Sequence, residues 1–181
     1  WHVDDLKILH ADPKAVTTIL NLLDAKYGQE IVRGKRAPLT ITLGKIHDYL
    51  GMTLDDSESG VMKINMADYV QKILGEMPED MDGTATSPAA DYLFKITEAI
   101  ELLDKATSEF FHATVSKLLF MCKRGRPDIQ TAIAFLCTRV QQPTKHDYNK
   151  LSRVIKYLRK TKDLVLRLSA NNLNVVKWWV D

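Results

Sequence analysis

The chain has 181 residues, of which 45% are apolar and 27% are charged, so it can bury the core of one domain or slightly more. This composition excludes a disordered or collagen-like protein, and no apolar run reaches the roughly 18 residues that a membrane span needs. Two cysteines, Cys122 and Cys137, are too few for a disulfide framework or a Cys-x-x-Cys zinc site. We therefore expect reduced core cysteines in an intracellular protein.

Charge is divided unevenly along the chain. Residues 1–104 contain 10 Lys and Arg against 18 Asp and Glu, whereas residues 105–167 contain 14 against 4. The net charges of the two segments are therefore −8 and +10. A folded segment as basic as the second is typical of proteins that bind a polyanion, although on charge alone solvated helix faces explain it equally well.

The first part of the chain shows strand signals around one helix. The apolar runs Trp1–Val3 and Leu6–Leu9 predict a hairpin with Asp4 and Asp5 at its tip. Asp12-Pro13 predicts the start of a helix that ends at Gly28. Further along, the pattern predicts strands at Leu39–Leu43 and Ile46–Leu54, joined by a turn at Gly44-Lys45. A third strand is predicted at Val61–Ile64, and a helix at Ala67–Met77.

After a polar loop at Pro78–Pro88, which is the predicted internal boundary, the pattern is mainly helical. Ser108 is predicted to cap one helix, Arg126-Pro127 to open a second, and Pro143-Thr144 to precede a third. The polar side of the third helix carries Lys145, Lys150, Arg153, Lys156, Arg159 and Lys160. Two strands, Leu164–Leu168 and Leu173–Val180, complete a predicted α+β fold.

The adjacent carboxylates of Asp4 and Asp5 are the strongest candidates for chemistry. Like charges this close repel unless a cation neutralises them, and Mg²⁺ prefers such hard oxygen ligands. Two metal ions can bind the attacking and leaving oxygens in phosphoryl transfer. The alternative is an ordinary solvated turn, in which Asp-Asp pairs are common.

Other motifs fail on spacing or residue type. The segment from Gly28 to Lys35 has one residue too many for a phosphate-binding loop, and Arg36 stands where Ser or Thr is required. Asp55–Gly60 is similar to the start of a calcium loop, but Met66 occupies the position of the bidentate Glu. The five histidines form no metal-binding spacing.

Several short blocks, in order, resemble one family. His2-Val3-Asp4-Asp5-Leu6 resembles the Tyr-x-Asp-Asp-Leu box of reverse transcriptases, specifically those of copia-type retrotransposon polyproteins. The resemblance continues through Asp48–Met52, Asp68–Leu74, Thr86–Pro88, Lys117–Phe120 with Arg126–Ile129, Tyr157–Thr161 and Lys177–Asp181. Each block is weak alone, but the ordered set covers nearly the whole chain.

The resemblance implies part of an RNA-directed DNA polymerase. It assigns residues 1–66 to a partial antiparallel palm, 67–161 to a helical thumb and connection, and 162–181 to a terminal hairpin leading into a truncated ribonuclease H-like domain. Asp4 and Asp5 would be catalytic ligands of Mg²⁺, and Asp181 would match the first metal ligand of ribonuclease H. The segment Tyr49, Leu50, Gly51 and Met52 would be a hairpin that acts as a primer grip, which holds the 3′ end of the primer.

The family's partners are an RNA or DNA template–primer and dNTP, together with the rest of a polyprotein involved in DNA integration. The six cations of the third helix would contact nucleic-acid phosphates, and acidic or Ser/Thr-rich segments are expected to stay away from them. We expect no membrane association and a location in a cytoplasmic particle or the nucleus. The family's third carboxylate and fingers have no counterpart here, and His2 replaces the usual Tyr. The chain alone is therefore expected to be inactive, and the alternatives are a non-catalytic nucleic-acid-binding remnant or a decayed gene product.

Overall fold

A computed structural model of the protein describes residues 6–28, 39–96 and 101–169, and the backbone of 31–32 and 35–36. Its helices are α1 (Pro13–Tyr27), α2 (Ala67–Gly75), α3 (Lys105–Cys122), α4 (Gln130–Cys137) and α5 (Lys145–Lys160). Its strands are β1 (Ile31–Val32), β2 (Lys35–Arg36), β3 (Ile46–Tyr49), β4 (Met52–Asp55), β5 (Val61–Asn65) and β6 (Leu166–Ser169). The predicted α+β class is confirmed.

Four strands form one antiparallel sheet in the order β3-β4-β5-β6. The first three follow one another along the chain, whereas β6 comes after the helices and pairs with β5, with Val61 opposite Ser169. The fourth strand of this open sheet therefore comes from residues 162–181, the segment that the resemblance assigned to the terminal hairpin. Strands β1 and β2 form a separate two-stranded ribbon.

The core lies among α2, α3, α4 and α5. Its fully buried apolar side chains include Ile73 of α2, Phe111 and Leu118 of α3, Ile133 of α4 and Ile155 of α5. These residues recur at helical spacing because each helix buries one face and leaves the other to solvent. None of the helices in the described ranges combines the length and apolar character that a membrane crossing demands.

The α3–α4 connection approaches the sheet closely at Gly125. A Cβ added there would lie 2.9 Å from Met66 Sδ and 3.3 Å from Ile64 Cγ2. Both distances are shorter than ordinary van der Waals contact, so glycine is needed for the helical layer to reach β5 and the start of α2.

The predicted strand Ile46–Leu54 is wrong: this segment is the β3–β4 hairpin, in which Tyr49 pairs with Met52. The turn residues Leu50 and Gly51 have φ angles of 51° and 73°. Leucine at the first turn position hid the turn, because Asn or Gly is the usual residue there. The runs at Leu6–Leu9 and Leu39–Leu43 are irregular rather than strands.

Helix starts were predicted with mixed success. Asp12 caps α1 as expected, by accepting a hydrogen bond from the backbone N–H of Lys14 at 2.9 Å. Asp104, not Ser108, caps α3, because its carboxylate accepts both the backbone N–H and the hydroxyl of Thr107. Helix α5 begins with a reciprocal capping box between Thr144 and Asp147.

Exposed apolar side chains are concentrated in the first part of the described chain. Leu9, Leu22, Leu43 and Ile46 are all more than half exposed. Helix α1 buries none of its residues fully, although Leu20 and Leu23 line an apolar cavity of about 340 Å³ together with Ile8. Most of this exposed apolar surface lies on α1 and on the irregular segments beside it.

Replacing Gly125 with Ala is expected to destabilise the protein by about 1–3 kcal/mol, because the new methyl group must displace Met66 within the core. The matched control is Gly75→Ala at the end of α2, where an added Cβ meets nothing within 4 Å. That variant should be neutral or more stable by up to about 1 kcal/mol. Urea unfolding followed by circular dichroism measures both, and equal effects would contradict the close approach at Gly125.

Candidate nucleic-acid interface

The turn of the β3–β4 hairpin is strained. Leu50 is, within the described residues, the one non-glycine residue with a positive φ angle. A leucine in this left-handed region costs roughly 1–2 kcal/mol, whereas Asn-Gly would form the same turn with little strain. Such strain persists where the surroundings enforce it, and it is concentrated at functional sites.

A cavity of about 300 Å³ lies between this hairpin and the start of α2. Gly51, Thr53 and Asn65 line it from the sheet, and Tyr69 and Lys72 line it from α2. The Asn65 side-chain oxygen is already engaged, since it accepts a hydrogen bond from a backbone N–H at the start of α2. The cavity therefore offers an aromatic ring and a cation beside the turn, together with the carboxylates of Asp48 and Asp68.

A row of aromatic and cationic groups extends from the turn across the helical layer. A Cβ added to Gly51 would lie 3.6 Å from Tyr69 Cδ2, so the turn contacts the Tyr69 ring. The Tyr69 ring lies 5.3 Å from that of Phe120, centroid to centroid. The Arg124 guanidinium carbon lies 3.7 Å from the Phe120 centroid, which is a close cation–π contact.

Charged groups surround the Tyr69 hydroxyl. Partial burial raises the pKa of Tyr69, while the positive charges of Lys117 and Arg124 oppose that rise and Glu76 adds to it. Glu76 is itself paired with Lys117, and this pairing holds the pKa of the Glu76 carboxyl below its usual range. The charges of Glu76 and Lys117 therefore offset each other, and Arg124 adds a further positive charge beside the ring.

The six cations predicted to bind phosphates do not form one open surface. Lys150 is only 3% exposed; its ammonium donates to the backbone oxygen of Lys95 at 2.7 Å and lies 3.7 Å from Asp147 Oδ1. Burial lowers the pKa of Lys150, and Asp147 opposes that shift. The Lys150 ammonium is therefore buried and engaged by the protein itself.

Two further cations of α5 bind the polar segment that follows α2. Arg153 donates to the Ser87 hydroxyl at 3.1 Å. Arg159 donates to the backbone oxygen of Met81 and lies 3.0 Å from Asp82 Oδ1. The expectation that acidic and Ser/Thr-rich segments stay away from these cations is therefore wrong.

The same segment is fixed to α5 by other contacts. Met81 is completely buried, and the Tyr148 hydroxyl donates to Asp80 Oδ1 at 3.1 Å. Burial raises the pKa of Tyr148 to about 12, and its hydrogen bond to Asp80 adds to the shift. The predicted loop thus packs onto the third helix through both apolar and polar contacts.

The remaining predicted cations are more accessible. Lys145 is exposed and forms a surface ion pair with Glu101. Lys156 is partly exposed, and Lys160 is exposed at the end of α5. Their role at phosphates stays a prediction, and they alone are too few to make the polar side of α5 a continuous binding face.

Arg126 forms the most extensive polar contacts of the helical layer, although it is only 1% exposed. Its Nε donates to Asp128 Oδ1 at 2.9 Å and its Nη2 to Asp128 Oδ2 at 2.8 Å. Nη1 and Nη2 also donate to the Thr161 backbone oxygen and hydroxyl at 3.0 and 2.7 Å. The pair connects the start of α4 to the end of α5.

The Arg126–Asp128 pair also contributes to the pKa shifts of Asp128 and Tyr157. Burial by itself would raise the pKa of Asp128, but the guanidinium lowers it below its usual range. The pKa of Tyr157 is raised, first by burial and then by its hydrogen bond to Asp128. Two of the blocks that carry the family resemblance, Arg126–Ile129 and Tyr157–Thr161, therefore meet at this ion pair, of which only the arginine is buried.

The predicted metal ligands Asp4, Asp5 and Asp181 lie outside the described residues, as do the predicted strands Trp1–Val3 and Leu173–Val180. Within the ranges that the structure describes, no three His, Cys, Asp or Glu side chains are grouped so that they could hold a metal ion. Magnesium binding stays a prediction.

Sequence reasoning missed the stack of Phe120 and Arg124. These residues are four positions apart, a spacing that places two side chains on the same face of a helix. The primer-grip-like residues Tyr49–Met52 do form a hairpin turn, as the resemblance implied.

Comparison with known proteins gives two similar sequences. A putative transposon Ty5-1 protein of Saccharomyces cerevisiae is 25% identical over 168 residues, which cover 92% of this chain and 50% of that protein. The chain is thus similar in sequence to a transposon protein. An uncharacterized mitochondrial protein of Arabidopsis thaliana is also 25% identical, over 66% of this chain and 48% of its own length. The chain spans about half the length of either relative, and no family model or solved structure matches it.

Replacing Asp128 with Asn is expected to cost about 2–3 kcal/mol at pH 7, because a buried guanidinium loses its carboxylate. The folded state lowers the pKa of Asp128, so this contribution is complete above the ordinary value of 3.8 and is lost as the pH falls through the lower folded value. Urea unfolding at pH 7 and at about pH 3 should show the difference from wild type shrinking in acid.

The control for this prediction is Asp163→Asn, which changes an exposed carboxyl in the turn after α5. It should alter stability by less than about 0.5 kcal/mol at either pH. A difference between wild type and Asp128→Asn that does not change with pH would contradict the assigned pair.

Proposed function

We propose that the chain is the palm and thumb part of a copia-type reverse transcriptase, and that it binds the template–primer. The observation that carries the proposal is the strained Leu50-Gly51 turn, which lies within the block that resembles a primer grip. The similarity to a transposon protein supports it. The chain's own contribution is to hold the primer end at the β3–β4 hairpin.

The geometry around the turn supports this role. Gly51 is exposed, and the cavity beside it is open to solvent along the start of α2. A polymerase must accept any sequence, so it should contact backbone atoms rather than base edges. A tight turn whose glycine lacks a side chain allows the sugar–phosphate backbone of a primer to approach closely.

The chemical part of the proposal rests on residues outside the described ranges. Asp4 and Asp5 would hold Mg²⁺, which supplies charge stabilisation for phosphoryl transfer from dNTP. Asp181 would serve the ribonuclease H-like part of the longer polyprotein, in a cytoplasmic particle or the nucleus. We expect this chain alone to bind template–primer with no nucleotide incorporation.

The proposal is tested with a fluorescent RNA–DNA hybrid that carries a recessed primer end. Tight binding at low salt that weakens steeply as salt increases, with no incorporation when Mg²⁺ and dNTP are added, is the expected result. A complete lack of hybrid binding would contradict the proposal and favour a decayed gene product. Incorporation that Asp4→Asn abolishes would instead show that the chain is a polymerase by itself.

Leu50→Asn tests whether the strained turn has a role in binding. Asn-Gly suits this turn, so the variant should be more stable by up to about 1 kcal/mol. If Leu50 holds the primer end, hybrid binding should nevertheless weaken, by about threefold to tenfold, since one apolar contact is worth about 1 kcal/mol. Fluorescence anisotropy and thermal melting measure the two effects.

The matched control is Leu22→Asn, which changes an exposed leucine on α1. It should lower stability slightly and leave hybrid affinity unchanged. A Leu50→Asn protein that gains stability and binds the hybrid as well as wild type would remove the primer-grip assignment.

A further inference from the structure

Arg124 differs in its contacts from the other arginines of residues 101–169. Residues 101–169 contain six arginines. Five donate to protein acceptors, namely Arg126 to Asp128, Arg139 to Asp147, Arg153 to Ser87, Arg159 to Met81 and Arg167 to Glu58. Within the described residues, the Arg124 side chain has no hydrogen-bond acceptor, and its contact is the Phe120 ring.

The position of Arg124 is nevertheless fixed. Its guanidinium lies 3.7 Å from the Phe120 centroid, and Phe120 is held in turn by the core and by Tyr69. Stacking restricts the flexible side chain while leaving the guanidinium N–H groups at its edge free to donate. A planar cation held this way is suited to bind a phosphate through two parallel hydrogen bonds.

The surroundings of Arg124 favour an anion as its ligand. Lys123, the preceding residue, is exposed and adds a second positive charge. Glu76, the acidic residue that acts on the neighbouring Tyr69 hydroxyl, is paired with Lys117. The contacts from Gly51 through Tyr69 and Phe120 place this cation on the hairpin side of the helical layer.

We infer that Arg124, stacked on Phe120, binds a backbone phosphate of the nucleic-acid duplex whose primer end lies at the Leu50-Gly51 turn. This inference rests on the proposed function and adds a residue that the family resemblance does not assign. It places the phosphate contact at the end of α3, because the predicted cations of α5 are largely engaged with the protein itself. Phe120 is a positioning residue that acts through Arg124.

The test measures binding of the full chain to the labelled RNA–DNA hybrid over a range of salt concentrations. Each phosphate neutralised by a cation adds about 0.9 to the slope of log affinity against log salt for duplex DNA. Arg124→Gln should therefore reduce the magnitude of the slope by about one and weaken binding at low salt about tenfold. Arg124→Lys keeps the charge, so it should restore the slope but only part of the affinity.

Two further variants separate binding from folding. Phe120→Leu keeps an apolar side chain in place but removes the stacking surface, so affinity should fall while the slope stays near that of wild type. Arg167→Gln, the control, removes an exposed arginine that is already paired with Glu58, and it should leave slope and affinity unchanged. Thermal melting of every variant verifies that it is folded.

The outcomes distinguish the two proposals. If the wild-type chain binds the hybrid and Arg124→Gln keeps the wild-type slope and affinity, the Arg124 site is overturned and the proposed function stands. If Arg124→Lys fails to restore the slope, the effect of Arg124 is structural and the phosphate contact is likewise overturned. If the wild-type chain does not bind the hybrid at any salt concentration, both proposals fail together.

Discussion

The buried Arg126 guanidinium is the interaction on which the arrangement of the helical layer depends. A charge that is 1% exposed is costly unless nearly all its donors are satisfied, and here Asp128 and Thr161 satisfy them. Asp128 lies in the turn just before α4, and Thr161 caps the end of α5. By binding both residues, Arg126 fixes the α3–α4 connection. That connection also contains Gly125, which contacts the sheet, and Arg124, which lies over Phe120. The Arg126–Asp128 ion pair thus helps to position the helical core, the sheet and the candidate interface relative to one another.

The basic half of the sequence is used mainly to build the fold. Lys150 and Arg159 bind the segment between α2 and α3, which lies in the acidic part of the chain. Charge complementarity between the two halves therefore explains much of the sequence asymmetry, without any nucleic acid. Some cations also donate to backbone oxygens, as Lys150 does to that of Lys95, and such hydrogen bonds cannot be seen from the number of charges in the sequence. Within the described residues, what remains for an external polyanion is the smaller set of cations with no protein acceptor, and among them Arg124 lies against the Phe120 ring.

The sequence predicted the α+β class and the helical core because both depend on local periodicity. It could not predict the partner of a long side chain. The sequence pattern places Lys150 and Lys160 on the same polar side of the third helix, yet one is buried against Lys95 and the other is exposed. The difference is set by a segment more than fifty residues away. The cap at Asp104 was missed because Ser108 fits the same local rule. The Leu50-Gly51 turn was hidden from periodicity, and only the family resemblance indicated it.

The strain at Leu50 and the free donors of Arg124 are two departures from what stability alone would favour. A sequence under pressure only to fold would place Asn at position 50 and give Arg124 a protein acceptor, as the other five arginines of residues 101–169 have. Both departures lie along one line of contacts through Tyr69 and Phe120, although they are far apart in sequence. Two unrelated departures would not be expected to lie on the same row of contacting side chains. A ligand that contacts the turn and the guanidinium together gives a single reason for both, and a duplex with a phosphate backbone has the required charge and length.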